Sequence, residues 1–156
     1  MKIFVFDLGT QMGWAYWRDG NLMSGSESFA SQRHEGAGMR AFRFGKWLEW
    51  SLGQYGKPDF VYFEEVRRHK GVAAAHVYGG FMNILMAWCE RHQIQYSSVP
   101  VQVIKRAATG KPAATKKMMI AAAVKTWGVF PADDNEADAL GLLSYAKEQH
   151  PDFSQK

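Results

Sequence analysis

The stretch Lys-Ile-Phe-Val-Phe-Asp-Leu-Gly-Thr, residues 2–10, carries the pattern that decides the fold. Its apolar, β-prone residues predict a buried strand over residues 2–8. Asp7 lies inside this apolar run, where an acid is rare unless another group pairs with it or uses it. Asp7 is therefore a candidate functional residue, although a turn-forming aspartate that bonds its own backbone explains the same pattern.

The segments that follow this strand predict a mixed α/β sheet. Strands are expected at residues 2–8, 13–18, 22–29, 59–65 and 95–99. Helices are expected at residues 36–55, 77–92, 101–108, 115–127 and 136–149. The turn Asp19-Gly20-Asn21 is a strong hairpin signal between the second and third strands. A three-strand meander followed by alternating helices and strands predicts antiparallel first strands and parallel later ones, as in ribonuclease-H-like domains.

The bulk composition predicts one globular domain. The chain has 156 residues, of which 47% are hydrophobic and 22% are charged. We expect a single domain over residues 1–150 and a frayed tail at residues 151–156. Cys89 is the only cysteine, so neither an intrachain disulfide nor a cysteine-based zinc site can form. No signal-peptide layout and no long uncharged stretch are evident, which predicts a cytoplasmic protein without membrane contact.

Positive charge is concentrated in the middle of the chain. Residues 66–127 contain ten Lys or Arg and a single acid, Glu90, although the formal net charge of the whole chain is only +4. Such asymmetry favours binding to a phosphate backbone. A solvated basic face explains the same composition, and charge alone does not choose between the two.

Two other apolar elements also carry acids. Glu64 and Glu65 are adjacent at the end of a predicted strand, so their side chains point to opposite faces and the pattern does not choose between them. Asp138 lies in an apolar part of the last predicted helix. Helix capping explains the acids at residues 133–136, at the start of that helix, but explains Asp138 less well.

Convergence of these acids would make an oxygen-rich site for hard divalent cations. Asn135 and Asp134 lie three and four residues before Asp138 and can share its helical face. Two Mg²⁺ ions about 3.5–4 Å apart can activate a water and stabilise the leaving oxygen of a phosphodiester. An acidic cluster in a basic chain therefore predicts a metal-dependent enzyme that acts on a polyanion. No histidine pair has zinc spacing, and no Walker or dinucleotide motif indicates a nucleotide cofactor.

The motifs, taken in order, resemble the RuvC family of Holliday junction resolvases, and phage-type members in particular. The likeness spans nearly the whole chain and rests on Asp7-Leu-Gly-Thr, Gly13-Trp, Phe63-Glu-Glu-Val, Val103 to Lys111, Lys116, and Glu136 to Leu140. This resemblance implies a ribonuclease-H-like α/β fold with a mixed five-stranded sheet and helices on both faces. It also implies a homodimeric crossover junction endodeoxyribonuclease of DNA recombination and repair, located in the cytoplasm of a bacterial host or phage-infected cell.

The resemblance further implies the substrate, the cofactor and the roles of single residues. Such an enzyme nicks opposed strands of four-way junctions and other branched DNA with two Mg²⁺ ions, for which Mn²⁺ substitutes. Asp7, Glu64 and Asp138 match the metal-binding acids, which selects Glu64 over Glu65. The predicted helix at residues 77–92 matches the helix that forms the dimer interface. The DNA-contacting residues are expected to be Arg67, Arg68, Lys70, Lys105, Lys111, Lys116 and Lys117, with Lys105 and Lys116 near the scissile phosphate.

Two departures from the family pattern stand out. Asn135 occupies the position where the family usually carries a fourth acid. An asparagine oxygen can still bind Mg²⁺ but adds no charge, so Asp134 or Glu136 can contribute instead. We therefore include Asn135 and Asp134 in the expected metal site. The expected catalytic set includes Asn135 and Lys116. A basic run at residues 67–70 replaces a family aromatic, which predicts weak base selectivity.

Three other functions fit parts of the sequence. Asp-Leu-Gly-Thr resembles the first phosphate motif of actin-like ATPases and sugar kinases, but these need a second domain. A YqgF-type nuclease of RNA processing would share the fold. A junction-binding protein with an impaired catalytic site is the third alternative, motivated by Asn135.

Overall fold

The computed structural model describes residues 1–154, and its elements follow the predicted order. The strands are β1 (Lys2–Asp7), β2 (Gln11–Arg18), β3 (Asn21–Ser28), β4 (Phe60–Glu65) and β5 (Gln95–Pro100). The helices are α1 (Met39–Tyr55), α2 (Val72–His92), α3 (Val101–Thr109), α4 (Lys116–Trp127) and α5 (Asp134–Gln149). A short 3₁₀ helix follows at Pro151–Ser154.

The five strands form one mixed sheet in the order β3-β2-β1-β4-β5. The β1–β2 and β2–β3 pairs are antiparallel, whereas the β1–β4 and β4–β5 pairs are parallel. Asp19 and Gly20 have φ angles of 47° and 91°, so the turn between β2 and β3 has the left-handed geometry that the Asp-Gly pair predicts. The predicted ribonuclease-H-like topology, with antiparallel first strands and parallel later ones, is confirmed.

Side chains of the sheet alternate between two cores. Phe4 and Phe6 of β1 pack in the core that α1 and α2 cover. Ile3 and Val5 of the same strand pack in the opposite core, which is covered by α3, α4 and α5. Helices therefore lie on both faces of the sheet, as the fold prediction requires, and each β1 side chain has a defined face.

Helix α2 begins five residues earlier than the sequence predicts, because the small-residue segment Val72–Ala75 forms its first turn. The longer helix has a window of mean hydropathy 1.3 and is long and apolar enough to cross a membrane, so the prediction that no stretch reaches this length is wrong. This is weak evidence for a membrane span, because core helices of soluble proteins meet the same criterion. Phe81, Leu85 and Trp88 of α2 are buried against the sheet.

The segment after α5 is ordered by one aromatic side chain. Phe153 is buried and its ring stacks on Trp17 at a centroid distance of 4.6 Å. Residues 151–154 form the 3₁₀ helix, in which burial of Phe153 favours an ordered backbone, whereas the sequence predicts a frayed tail there. The last two residues of the predicted tail, 155 and 156, lie outside the described part of the chain.

Candidate active site

Strand alternation brings Asp7 and Glu64 to the same edge and face of the sheet. The parallel β1–β4 register pairs Phe6 with Phe63, so Asp7 and Glu64 are the next residues of two adjacent strands. Tyr62, two residues before Glu64, lies in the core beneath α5, and therefore Glu64 points to that face. Glu65 points to the other face and pairs with the exposed Arg67. The backbone thus selects Glu64 over Glu65 without reference to any relative.

A glycine in β2 sets the position of the third acid. Gly13 pairs with Asp7 in the β1–β2 ladder. A Cβ on Gly13 would lie 1.8 Å from the backbone oxygen and 2.2 Å from the carbonyl carbon of Asn135. Only glycine allows α5 to approach the sheet this closely, and this approach carries Asp138 to the edge where β1 ends.

The three carboxylates interact in a poorly solvated site. Burial raises the pKa of Asp7 well above its usual value, and the nearby charges of Glu64 and Asp138 raise it further. Burial, followed by the charge of Asp138, raises the pKa of Glu64 to about 7. Burial likewise raises the pKa of Asp138 to about 6, although the positive charge of Lys105 opposes this. Asp7, Glu64 and Asp138 therefore converge, with Lys105 beside them.

The other predicted members of the site are placed differently. The ammonium group of Lys116 forms an ion pair with Asp134 and also interacts with the charge of Asp138. Burial alone would raise the pKa of Asp133. Hydrogen bonds to its carboxylate, including one from the Asn135 side chain, outweigh burial, so the pKa of Asp133 is lower than its usual value. The metal-binding role of Asn135 stays a prediction.

Glu136 has a structural role in this region. Its carboxylate is buried and accepts hydrogen bonds from the Ser24 hydroxyl and the Ala132 backbone N–H, each at 2.7 Å. The backbone N–H of Glu136 donates to Asp133, the N-cap of α5. One carboxylate oxygen therefore joins α5 to β3 and the other joins α5 to the segment before it, which argues against Glu136 as a metal ligand.

Replacing Glu136 with alanine should destabilise the fold by about 2 kcal/mol, because the buried carboxylate and its two part-buried hydrogen bonds to Ser24 and Ala132 are lost. Glu148 is exposed on the same helix, so Glu148→Ala is a matched control that should change stability by less than about 0.5 kcal/mol. Urea denaturation measures both variants. Equal stability of the two would contradict this role of Glu136.

The predicted DNA-contacting residues form no single cluster. Lys105 lies beside the acids, and Arg67 and Arg68 line a cleft of about 450 Å³ together with Glu64 and Gln102. Lys70, Lys111 and Lys117 are exposed residues outside this cleft. Contact of each of these residues with DNA stays a prediction.

The donor set fits a divalent cation in its chemistry. Three carboxylates share a site in which burial raises the pKa of each, and repulsion from the neighbouring acids raises the pKa of Asp7 and of Glu64 further. A hard cation would offset this excess of negative charge. Within residues 1–154, however, no three His, Cys, Asp or Glu side chains form a preformed metal-binding group. The structure thus supports converging oxygen donors rather than a closed coordination shell.

Tyr78 supports the sheet edge that carries Glu64, and this role was not predicted from the sequence. Its hydroxyl donates to the backbone oxygen of Glu64 at 2.6 Å and accepts from the backbone N–H of Val66 at 3.3 Å. These bonds fix the end of β4, which carries Glu64. The only sequence signal was the apolar spacing of α2, and that pattern indicates core packing rather than a role beside the site.

Comparison with solved structures identifies the architecture. RuvC from T. thermophilus, solved in complex with Holliday junction substrate, matches with a TM-score of 0.79 at 20% identity, covering 93% of this chain and 92% of that chain. The chain has the ribonuclease-H-like fold of RuvC. The yeast mitochondrial Holliday junction resolvase matches with a TM-score of 0.61 at 14% identity, over 95% and 80% of the two chains.

A third resolvase shares the fold at lower sequence identity, and comparisons by sequence find no relative. The fowlpox virus Holliday junction resolvase matches with a TM-score of 0.60 at 9% identity, over 96% of this chain and 100% of that chain. No protein-family model and no curated protein matches the sequence. The resemblance to RuvC is thus confirmed at the level of the fold, and the phage-type assignment stays a prediction.

Proposed function

We propose that this protein is a structure-selective DNA endonuclease that resolves Holliday junctions and other branched DNA. The observation that carries the proposal is the convergence of Asp7, Glu64 and Asp138 at one edge of the sheet, with Lys105 beside them. The three solved structures compared above are Holliday junction resolvases, and the T. thermophilus protein is bound to its junction substrate. The basic middle of the chain supplies the charge that a polyanion requires.

The residues divide the chemistry between them. Asp7, Glu64 and Asp138 would hold the divalent cations, with Mg²⁺ as the proposed ion and Mn²⁺ as its substitute. Such ions supply an activated water and stabilise the charge that develops on the leaving oxygen. Lys105, which lies beside these acids, would attract the scissile phosphate. Lys116 forms an ion pair with Asp134. The ammonium group of Lys116 is exposed and therefore lies at the rim of the site.

The proposed active form is a homodimer. A groove of about 590 Å³ lies between α1 and α2 and is lined by apolar residues that include Phe42, Ile84 and Ala87. Phe42 is 58% exposed, and α2 buries only part of its apolar surface against the sheet. A second copy that covers this face would place two active sites on one junction, and these could cut two strands.

Nick mapping on a synthetic four-way junction tests this proposal. With Mg²⁺, we expect paired nicks on opposed strands near the branch and no comparable cleavage of linear duplex of the same sequence. A branched RNA substrate is included because a YqgF-like RNA-processing nuclease is the alternative on this fold. Preference for RNA, or equal cutting of the linear duplex, would contradict junction resolution.

A catalytically impaired junction-binding protein is the second candidate. Asn135 replaces an acid of the resembled family, and the carboxylates form no preformed metal group within residues 1–154. This candidate predicts tight junction binding without nicks in either Mg²⁺ or Mn²⁺. In that case Asn135→Asp should restore cleavage. Cleavage by the unmodified chain would exclude the candidate.

A further inference from the structure

A separate cavity lies on the other side of the catalytic edge. It has a volume of about 380 Å³ and opens between the β1–β2 turn, the start of α1 and the segment that joins β4 to α2. Leu8 and Tyr78, which line it, belong to the core beneath α1 and α2 rather than to the core beneath α5. The cavity is therefore distinct from the carboxylate site, although the two meet at the ends of β1 and β4.

Arg40 is the charged group in the cavity wall. Its Nε is buried, and no protein acceptor within residues 1–154 lies at hydrogen-bond distance from it. Arg40 also takes part in none of the ion pairs found in this part of the chain. Three tryptophan N–H groups are similarly buried without a partner, but they carry no charge. An arginine stays ionised in proteins, so the guanidinium group of Arg40, which lines the cavity without a carboxylate partner, favours a ligand that bears negative charge.

The surroundings of Arg40 select an anion. None of the residues that line the cavity is acidic, whereas His69 and Thr10 add groups that can donate hydrogen bonds. The apolar walls lower the local dielectric and so strengthen attraction between the guanidinium and an anion. Arg43, one turn further along α1, differs from Arg40 because it is already paired with Glu35.

The cavity is coupled to the candidate active site through short connections. Thr10 lies three residues after Asp7, and Tyr78 donates a hydrogen bond to the backbone oxygen of Glu64. A strand whose scissile phosphate lies at the carboxylates would therefore pass the cavity within a few nucleotides. Backbone phosphates receive half to two-thirds of the hydrogen bonds in protein–DNA complexes.

We propose that this cavity binds a backbone phosphate of the cleaved DNA, with Arg40 as the principal contact and Thr10 and His69 as supporting donors. The inference rests on the proposed function, and it makes Arg40 a positioning residue that holds the strand in register with the carboxylates. It also gives a physical reason for an arginine whose Nε is buried without a hydrogen-bond partner.

Salt dependence of junction binding tests the contact. Arg40→Gln and the matched control Arg43→Gln are compared in a Glu64→Gln background in EDTA, so that no cleavage occurs. Loss of one phosphate contact should reduce the slope of log affinity against log salt by about 0.9 and weaken binding roughly tenfold. Arg43→Gln should leave the slope unchanged. Arg40→Lys retains the charge and should restore the slope, which separates a phosphate contact from a folding defect.

A methylphosphonate scan locates the phosphate. In a series of junctions, a single uncharged methylphosphonate replaces one phosphate at a time near the mapped nick. At one of these positions the replacement should weaken junction binding by the protein that retains Arg40. The same replacement should not weaken binding by Arg40→Gln any further. The cavity proposal alone would be overturned if the protein with Arg40 and Arg40→Gln both bound the junction with the same salt slope and the same response to each methylphosphonate. Absence of selective junction binding by any variant would instead overturn the proposed function.

Discussion

Glu64→Gln is expected to abolish junction cleavage and, at the same time, to stabilise the metal-free protein. Loss of one ligand carboxylate should reduce the cleavage rate by a factor of about 10³ or more, because the cations that supply the water nucleophile lose an anionic oxygen donor. The stability effect has the opposite sign because ionised Glu64 is disfavoured in the fold by burial and by the charge of Asp138. Few substitutions combine these two outcomes.

The direction of the pH dependence follows from the raised pKa values. The pKa of Glu64 is raised from 4.5 to about 7 and that of Asp138 from 3.8 to about 6. The folded chain therefore keeps protons that the unfolded chain has already released. In EDTA, these two groups contribute most stability below about pH 4, and this contribution is lost as the pH rises to about 7.

Thermal and urea denaturation in EDTA measure this difference. One pKa unit corresponds to about 1.4 kcal/mol, so Glu64→Gln should be more stable than the unmodified protein by roughly 2–3 kcal/mol at pH 8 and by little at pH 4. Glu65→Gln is the matched control, because Glu65 lies on the other face of β4 and pairs with exposed Arg67. It should retain cleavage within about tenfold, since exposed ion pairs contribute little. Intact cleavage by Glu64→Gln would refute the assigned site.

Gly13→Ala is expected to destabilise the fold by about 3 kcal/mol or more and to impair cleavage. The added Cβ would lie 1.8 Å from the backbone oxygen of Asn135 and 2.9 Å from the backbone nitrogen of Glu136. Because these contacts are with backbone atoms at the start of α5, no side-chain rotation can relieve them. Helix α5 must move away from β2, and Asp138 would move away from Asp7.

The control for this substitution is another glycine in open surroundings. Gly53 is exposed in α1, and a Cβ there would meet nothing within 4 Å. Gly53→Ala should therefore stabilise the protein by roughly 0.5–1 kcal/mol through helix propensity and leave cleavage unchanged. Denaturation and junction cleavage are measured for both variants. Normal stability and activity of Gly13→Ala would contradict the close approach of α5 to the sheet.

Much of the fold was predictable because its signals are local. Apolar runs, the Asp19-Gly20 turn and the helical spacing of apolar residues each act over a few residues, and they gave the correct order of strands and helices. The start of α2 was missed because Gly71 and the small residues after it read as a loop, although Val72–Ala75 form the first turn of the helix. Phe153 was missed because its partner, Trp17, lies far away in sequence.

The candidate site was only partly predictable for the same reason. Single acids on apolar elements drew attention to Asp7 and Asp138, whereas the strand pattern left Glu64 and Glu65 equivalent and only the family resemblance chose Glu64. The face of β4, which packing determines, gives that choice a structural basis. Glu136 was interpreted as a possible metal ligand because the sequence does not show that Ser24 approaches it. Arg40 carried no signal at all, since an arginine near the start of an amphipathic helix is ordinary until its surroundings are known.

A metal-switch measurement tests the central claim that the carboxylates use a divalent cation to cut junction DNA. Sulfur replaces each non-bridging oxygen in turn at the mapped scissile phosphate of a four-way junction, and nicking is measured in Mg²⁺ and in Mn²⁺. We predict that one of the two sulfur substitutions lowers the rate in Mg²⁺, which binds sulfur poorly, and that Mn²⁺ restores it. Equal rates for oxygen and sulfur in Mg²⁺, or cleavage that persists in EDTA, would contradict the account.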